Sequence, residues 1–165
     1  MSEDSTKYNG KLLHFTIRGE EYLLNIDIIS EILQYQKVTK VPTVPDVVYG
    51  VINLRGKYVP VIDLAKRLML DDKPPSIHKK SCIVVTECTN DSNTVTVGLL
   101  VDEVNEFIEL GDTEISDPPK FGHSVSADLI KGMIHMNDDD FLVLDVDKLL
   151  DLEALLKLLK QVDSE

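Results

Sequence analysis

The sequence has no tryptophan, only four phenylalanines and five tyrosines, and no surplus of positive charge. Few rings leave little to stack on exposed bases. Seventeen lysines and arginines stand against twenty-nine aspartates and glutamates, a net charge of -12, and no basic stripe interrupts the acidic balance. Binding to a phosphate backbone is disfavoured, and protein partners are expected instead. No window approaches the ~20 consecutive apolar residues of a membrane helix. The opening MSEDSTKYNGK lacks the apolar middle of a signal peptide, so the chain reads as cytoplasmic. Its polar leader after Met1 and polar KQVDSE end read as those of a complete polypeptide.

Cysteine is also scarce. Cys82 and Cys88 lie in SCIVVTEC, an alternating, β-branched run expected to be a strand. Six residues of strand separate them by ~20 Å, beyond disulfide reach, so both read as buried thiols in a reducing compartment. Asn90-Asp91-Ser92 matches a glycosylation triplet, which without a secretory signal is a polar turn.

What is present is enough apolar material for a core: 43% of the 165 residues are hydrophobic, at a mean hydropathy near zero. That length suits one ordinary domain or two small ones sharing an interface. Within it lies a repeat. GVINLRGKYVPVIDLAKRL from Gly50 superposes without gaps on GMIHMNDDDFLVLDVDKLL from Gly132, an offset of 82 that sets Ile52 on Ile134, Asp63 on Asp145 and Lys66 on Lys148. Upstream, LNIDIISEI from Leu24 superposes on LLVDEVNEF from Leu99, an offset of 75 that sets Asp27 on Asp102, Ile29 on Val104 and Glu31 on Glu106. The difference of seven falls in a longer second connection containing SDPPKFGHSVS.

Two similar units follow. Each opens with a hairpin: LLHFTI and YLLNI around Arg18-Gly19-Glu20, then SCIVVTE and TVTVGLLV around TNDSN. A short strand is expected over Lys37 to Val41. A second hairpin runs from VINL to YVPVI, and from GMIHM to FLVLDV. Asp63 and Asp147 stand before helical runs, where a carboxylate caps free amides. The closing DKLLDLEALLKLLKQV carries Leu149, Leu152, Leu155, Leu156 and Leu159 on one stripe of a terminal helix that packs on a barrel or a partner. DDKPPS at residues 71–76 reads as the hinge between units.

The expected fold is therefore mostly β: two five-stranded, closed or nearly closed barrels with short helices and a C-terminal helix. Residues 1–10 form a flexible leader, 11–70 with the C-terminal helix region the first barrel, and 80–146 the second.

No catalytic constellation emerges. Asp63 and Asp145 occupy equivalent strand ends, which favours capping or structural hydrogen bonding over acid–base work; a carboxylate pair converging in one pocket would be needed for an enzyme. His14, His78, His123 and His135 are scattered without metal-ligand spacing. Asp138-Asp139-Asp140 lacks the spacing, glycine and terminal glutamate of a calcium loop. No phosphate-cradling glycine loop or nucleophile elbow is present. No metal or cofactor is expected. The repeat does single out one position: Arg55-Gly56-Lys57 falls on Asn137-Asp138-Asp139, so one unit presents a basic hairpin tip where its sister presents an acidic one.

FTIRGEEYLLNID, ISEI, VPTVP, GVINLRGKYVPVIDL, VGLLVDEV, IKGM and LDVDKLL follow one another in this order along nearly the whole chain. In these blocks the sequence resembles the CheW coupling proteins of bacterial chemotaxis. The resemblance implies a non-enzymatic adaptor of two five-stranded SH3-like barrels, joining the regulatory domain of the histidine kinase CheA to the cytoplasmic tips of chemoreceptors in arrays at the inner face of the membrane. It places Ile29, Glu31, Arg55, Val104 and Phe107 at a receptor-binding groove between the barrels. Val41, Val44, Pro45 and Gly50 fall on the kinase-binding surface. Glu31 and Arg55 are expected to pair at the groove rim. Core packing is the alternative for Val104 and Phe107, and a buried connection the alternative for Val41, Val44 and Pro45. A coupling protein of a related pathway serving surface motility or pili, or a CheW unit detached from a fused receiver or kinase protein, fits the same blocks.

Overall fold

The computed structural model describes residues 7–42, 46–68, 73–90, 93–117 and 129–149. Ten strands carry the fold: β1 (Lys7–Ile17), β2 (Glu20–Asn25), β3 (Ile29–Gln34), β4 (Val48–Leu54), β5 (Lys57–Asp63), β6 (Cys82–Asn90), β7 (Asn93–Val101), β8 (Glu103–Glu114), β9 (Ile130–Met136) and β10 (Asp139–Leu144). Short helices α1 (Leu64–Arg67) and α2 (Val146–Leu149) follow β5 and β10.

The strands form two five-stranded sheets, in the orders β8-β1-β2-β10-β9 and β3-β6-β7-β5-β4. A single antiparallel bridge curls each sheet back on itself. Ser116 pairs with Met133 of β9 in the first, and Thr39 with Val51 of β4 in the second, each through two backbone hydrogen bonds of 2.7–2.9 Å. These are the two barrels, A and B, and closure removes the long free edges of an open sheet.

Barrel membership departs from chain order. The boundaries 11–70 and 80–146 cut across it, because β1 and β2 lie in barrel A with β8, β9 and β10, while β6 and β7 lie in barrel B with β3, β4 and β5. Each unit keeps three strands and gives its opening hairpin to the other barrel. Replacing β1 to β5 by β6 to β10, and the reverse, converts one strand order into the other. The chain crosses between barrels twice, through the 3-10 turn Ile26–Ile28, where the Asn25 side chain accepts the Asp27 N–H at 2.8 Å, and at Asp102, whose carboxylate accepts the Arg18 N–H at 2.8 Å. These two crossings are the LNIDIISEI and LLVDEVNEF blocks of the repeat.

This exchange explains the doubled leucines of the strands. Successive residues point to opposite faces, and here both faces are buried. Leu12, Leu23, Ile134, Phe141 and Val143 fill barrel A, and Val38, Ile52, Val59, Ile83 and Val85 fill barrel B. Their neighbours Leu13, Leu24, Leu142 and Leu144 pack against Val84, Leu99, Val101 and Ile62 in a third core shared by both barrels. At roughly 1.5–3 kcal/mol per fully buried aliphatic side chain, that shared core fastens the barrels together. Arg67 adds a polar clasp, donating to the Lys148 and Leu149 carbonyls at 2.8 and 3.2 Å.

Several local expectations change. The third strand is Ile29–Gln34 rather than Lys37 to Val41, where only Thr39 makes a bridge. β1 starts at Lys7, inside the expected leader. The 71–76 segment connects β5 to β6, both in barrel B, so it does not join barrel to barrel; of it, residues 73–76 are described. The cap of α2 is Asp145, which accepts the Lys148 N–H at 3.4 Å, while Asp147 lies within the helix. Cys82 is half-exposed rather than buried, and burial still pushes its thiol pKa up; the side chain of Cys88 lies outside the described residues. The expected terminal helix is described only as far as Leu149, which is buried.

Candidate functional site

The β4–β5 hairpin has a two-residue turn, Arg55 at φ 52° and Gly56 at φ 85°. Both residues are left-handed, as the twist of a tight hairpin requires. Arginine is a costly choice there, by roughly 1–2 kcal/mol, and the turn is held by the Asn53 side chain accepting the Gly56 N–H at 2.9 Å. The sister turn, Asn137-Asp138 at φ 53° and 65°, uses the residues that tolerate this geometry best. The β1–β2 turn has the same left-handed Arg-Gly pair, Arg18 at φ 53° and Gly19 at φ 80°, so turn geometry alone does not single out Arg55.

Its side chain does have a partner. A bulge between Ile29 and Glu31 sets Glu31 opposite Val85 and aims its carboxylate at the hairpin tip. Arg55 grips it with both terminal guanidinium nitrogens, Nη2 on Oε2 and Nη1 on Oε1, the latter at 3.5 Å. The donated hydrogen bond holds the Glu31 pKa below its ordinary value. At 71% exposure for Arg55 and 28% for Glu31, the pair shapes the surface more than it stabilises the fold.

Ile29 and Val104 occupy equivalent places at the two barrel crossings, each half-buried and packed on the shared core. Phe107 is different. It sits opposite Leu13 on the face of β8 turned away from the barrel A interior, and is 54% exposed. Its equivalent Ile32 packs on the shared core. Sequence reasoning missed Tyr58, which is 71% exposed beside the basic tip. Its alternation with the buried Val59 was the available signal.

Of the four residues assigned to kinase contact, Val41 is half-buried on a cavity of about 280 Å3 with Tyr49, Pro74 and Pro75, where the Lys40 ammonium sits 3.3 Å over the Tyr49 ring. Val44 and Pro45 lie outside the described residues. Gly50 is buried in the seam of barrel B, where a Cβ would come within 2.4 Å of the Thr39 carbonyl oxygen. A side chain at this position would obstruct closure of the barrel.

The carboxylates do not converge. Asp63 caps α1 and Asp145 caps α2, in different barrels. His14 pairs with Glu21 and His135 with Asp140, while His78 lies in the connection before β6 and accepts the Lys80 N–H at 3.1 Å. His123 lies outside the described residues. No group of three or more His, Cys, Asp or Glu among the described residues has the geometry to hold a metal.

Two five-stranded barrels fused through a shared core, with the Arg55–Glu31 pair on the surface of one, define a two-barrel β module. The chain belongs to the CheW-like domain family, which it matches over residues 11–154. It is 30% identical to the chemotaxis protein CheW of Bacillus subtilis over 148 residues, covering 90% of this chain and 91% of that one. It is 31% identical over 145 residues to that of Klebsiella aerogenes, covering 88% and 84%. The crystal structure of the scaffolding protein TtCheW from Thermoanaerobacter tengcongensis superposes with a TM-score of 0.73 at 30% identity, covering 87% of this chain and 88% of that one.

Proposed function

We propose that this chain is a non-enzymatic adaptor coupling chemoreceptors to the histidine kinase CheA. The Arg55–Glu31 pair carries the reading: a left-handed arginine, costly for the turn, fixes a charged rim on a surface with little stability to gain from it. Family membership supplies the chemotaxis context. Ile29, Glu31, Arg55, Val104 and Phe107 serve receptor contact in this proposal, with Phe107 as the apolar anchor. Val41, Val44 and Pro45 serve the kinase regulatory domain, with Gly50 shaping the barrel beneath them. Holding two partners at once raises their effective concentration and sets their relative geometry. The charged rim gives register and the apolar residues give affinity.

The adaptor works at receptor arrays on the inner face of the membrane. Among the described residues no helix is long and apolar enough to cross one, and association runs through the receptors.

Titration calorimetry of the protein against the CheA regulatory domain and against a receptor-tip fragment tests the proposal. Binding to both, with a ternary complex, is the expected result. A folded protein that binds neither overturns it.

A further inference from the structure

The repeat makes one barrel a control for the other. Pairing partners set His14 on Val85, Thr16 on Glu87 and Glu21 on Thr96; the matching bulges of β8 and β3 set Asn105 on Ser30; the 82-residue offset sets Phe141 on Val59. In barrel A these five side chains plug one end. His14 Nε2 lies 2.5 Å from Glu21 Oε1, Asn105 Nδ2 donates to Thr16 Oγ1 at 2.9 Å, and the imidazole stands edge-on to Phe141 at 4.9 Å.

At the same end of barrel B, four of the five equivalents are smaller: Val85 for histidine, Thr96 for glutamate, Ser30 for asparagine and Val59 for phenylalanine. What they leave is a cavity of about 250 Å3, with Leu54 as a further wall and the Glu31–Arg55 pair on its rim. Its floor is apolar, since Val59 and Val85 are buried. The fifth equivalent is larger and charged. Glu87 is exposed and forms no ion pair among the described residues, whereas the Glu31 carboxylate is already taken by Arg55. Lys57, the lining cation with no ion pair among the described residues, stands on β5, separated from Glu87 on β6 by the intervening β7. An incoming cation therefore seats on the β6 side. The net charge of -12 favours its approach.

We infer that the mouth of barrel B is a socket for a basic side chain, arginine or lysine, presented by a partner protein, in the place that barrel A fills with its own His14. The aliphatic stem lies on Leu54, Val59 and Val85 while the charged head meets Glu87. From the adaptor reading this takes only that the partner is a protein.

The test uses the full-length, 15N-labelled chain titrated with N-acetyl-arginine methylamide, and with the neutral citrulline analogue as its isostere. Saturable amide shifts at Val59, Val85, Glu87 and Thr96 are expected with the arginine probe, without comparable shifts from citrulline or at His14, Glu21 and Asn105. Glu87→Gln, at an exposed position, weakens the response about two- to fivefold. Val85→His, which rebuilds the plug, abolishes it in a protein whose spectrum remains folded. Equal shifts from citrulline, shifts spread over both barrel mouths, no response up to the solubility limit, or a Glu87→Gln protein that responds like the parent each overturn the inference. Calorimetry with kinase and receptor fragments reads the adaptor function separately, so the two ideas fail independently.

Discussion

Gly50 and Gly132, 82 residues apart, do the same thing in different barrels: each lies against the residues that close its barrel, Val38 and Thr39 for Gly50, Ile115 and Ser116 for Gly132. What a methyl group would meet differs. At Gly50 it would come within 2.4 Å of the Thr39 backbone oxygen and 2.5 Å of a Val38 side-chain carbon, whereas at Gly132 it would meet carbons of the Ile115 side chain at 2.4 and 2.6 Å and the Ser116 backbone oxygen only at 2.9 Å. A side chain can turn aside where a hydrogen-bonded backbone cannot. Gly50→Ala is expected to cost about 2–3 kcal/mol and Gly132→Ala about half as much. Thermal denaturation checks this, and equal melting temperatures for the two variants would contradict it.

Reversing the charge at the basic tip separates geometry from stability. Arg55→Glu should leave the melting temperature within about 4 °C of the parent, since exposed pairs contribute little to stability. Receptor coupling should weaken. A folded variant that couples normally would refute the role given to Arg55.

The same pair sets a pH dependence. The hydrogen bond from Arg55 keeps the Glu31 pKa below its ordinary value, so the interaction is intact above the ordinary carboxyl range and lost as pH falls through the lowered pKa. Carboxyl NMR titration of Glu31 should show this depressed midpoint, and Arg55→Ala should return it to the ordinary range. A midpoint unaffected by the substitution would mean the pair does not persist in solution.

Asp63 points the other way. Burial raises its carboxyl pKa, against the opposing hydrogen bond and charge of Lys66 and the charge of Arg18. A raised carboxyl pKa favours the folded state at low pH, and that contribution is lost as pH rises from the unfolded value through the folded one. Asp63→Asn keeps the cap and removes the titration, so its stability relative to the parent should rise between acidic and neutral pH. Asp63→Ala should lose about 1 kcal/mol with the cap. Denaturant unfolding of both across pH decides. A constant Asn-to-parent difference would show that Asp63 is not desolvated.

Tyr22 is fully buried, stacked on Phe15 at 5.9 Å, and its hydroxyl has no hydrogen-bond partner among the described residues. Tyr22→Phe removes a polar atom whose burial costs about 1–3 kcal/mol when unsatisfied. The variant should match the parent or exceed it by about 1 kcal/mol in urea denaturation. A clear loss would reveal a partner for the hydroxyl.

The strands and the tight turns were legible in the sequence because each rests on local pattern or on the repeat, whereas the Glu31–Arg55 approach was expected from the family resemblance. The exchange of hairpins was not. YLLNI reads the same whichever sheet it joins, and only pairing to residues about 120 positions away, as of Tyr22 with Leu142, decides it. The third strand was misplaced because a bulge at Ser30 breaks the alternation of Ile29–Gln34. The burial of Gly50 was not legible either, because steric need at a closing seam has no signature in one sequence. The socket at barrel B became visible only when equivalent side chains could be compared in place.

The exchange also fixes an order of events at the ribosome. The β1–β2 hairpin is synthesised before any strand of barrel B yet belongs to the barrel finished later, because its neighbours β8 and β10 emerge only after β7. Barrel B is nested inside that interval, complete once Val101 has been made. Newborn β1–β2 must therefore wait, with Leu12, Leu13, Leu23 and Leu24 uncovered, while an entire barrel assembles beside it. Contacts spanning most of the chain make closure of barrel A a late and slow step, and it is during synthesis, more than in the finished molecule, that this protein is most exposed to misassembly.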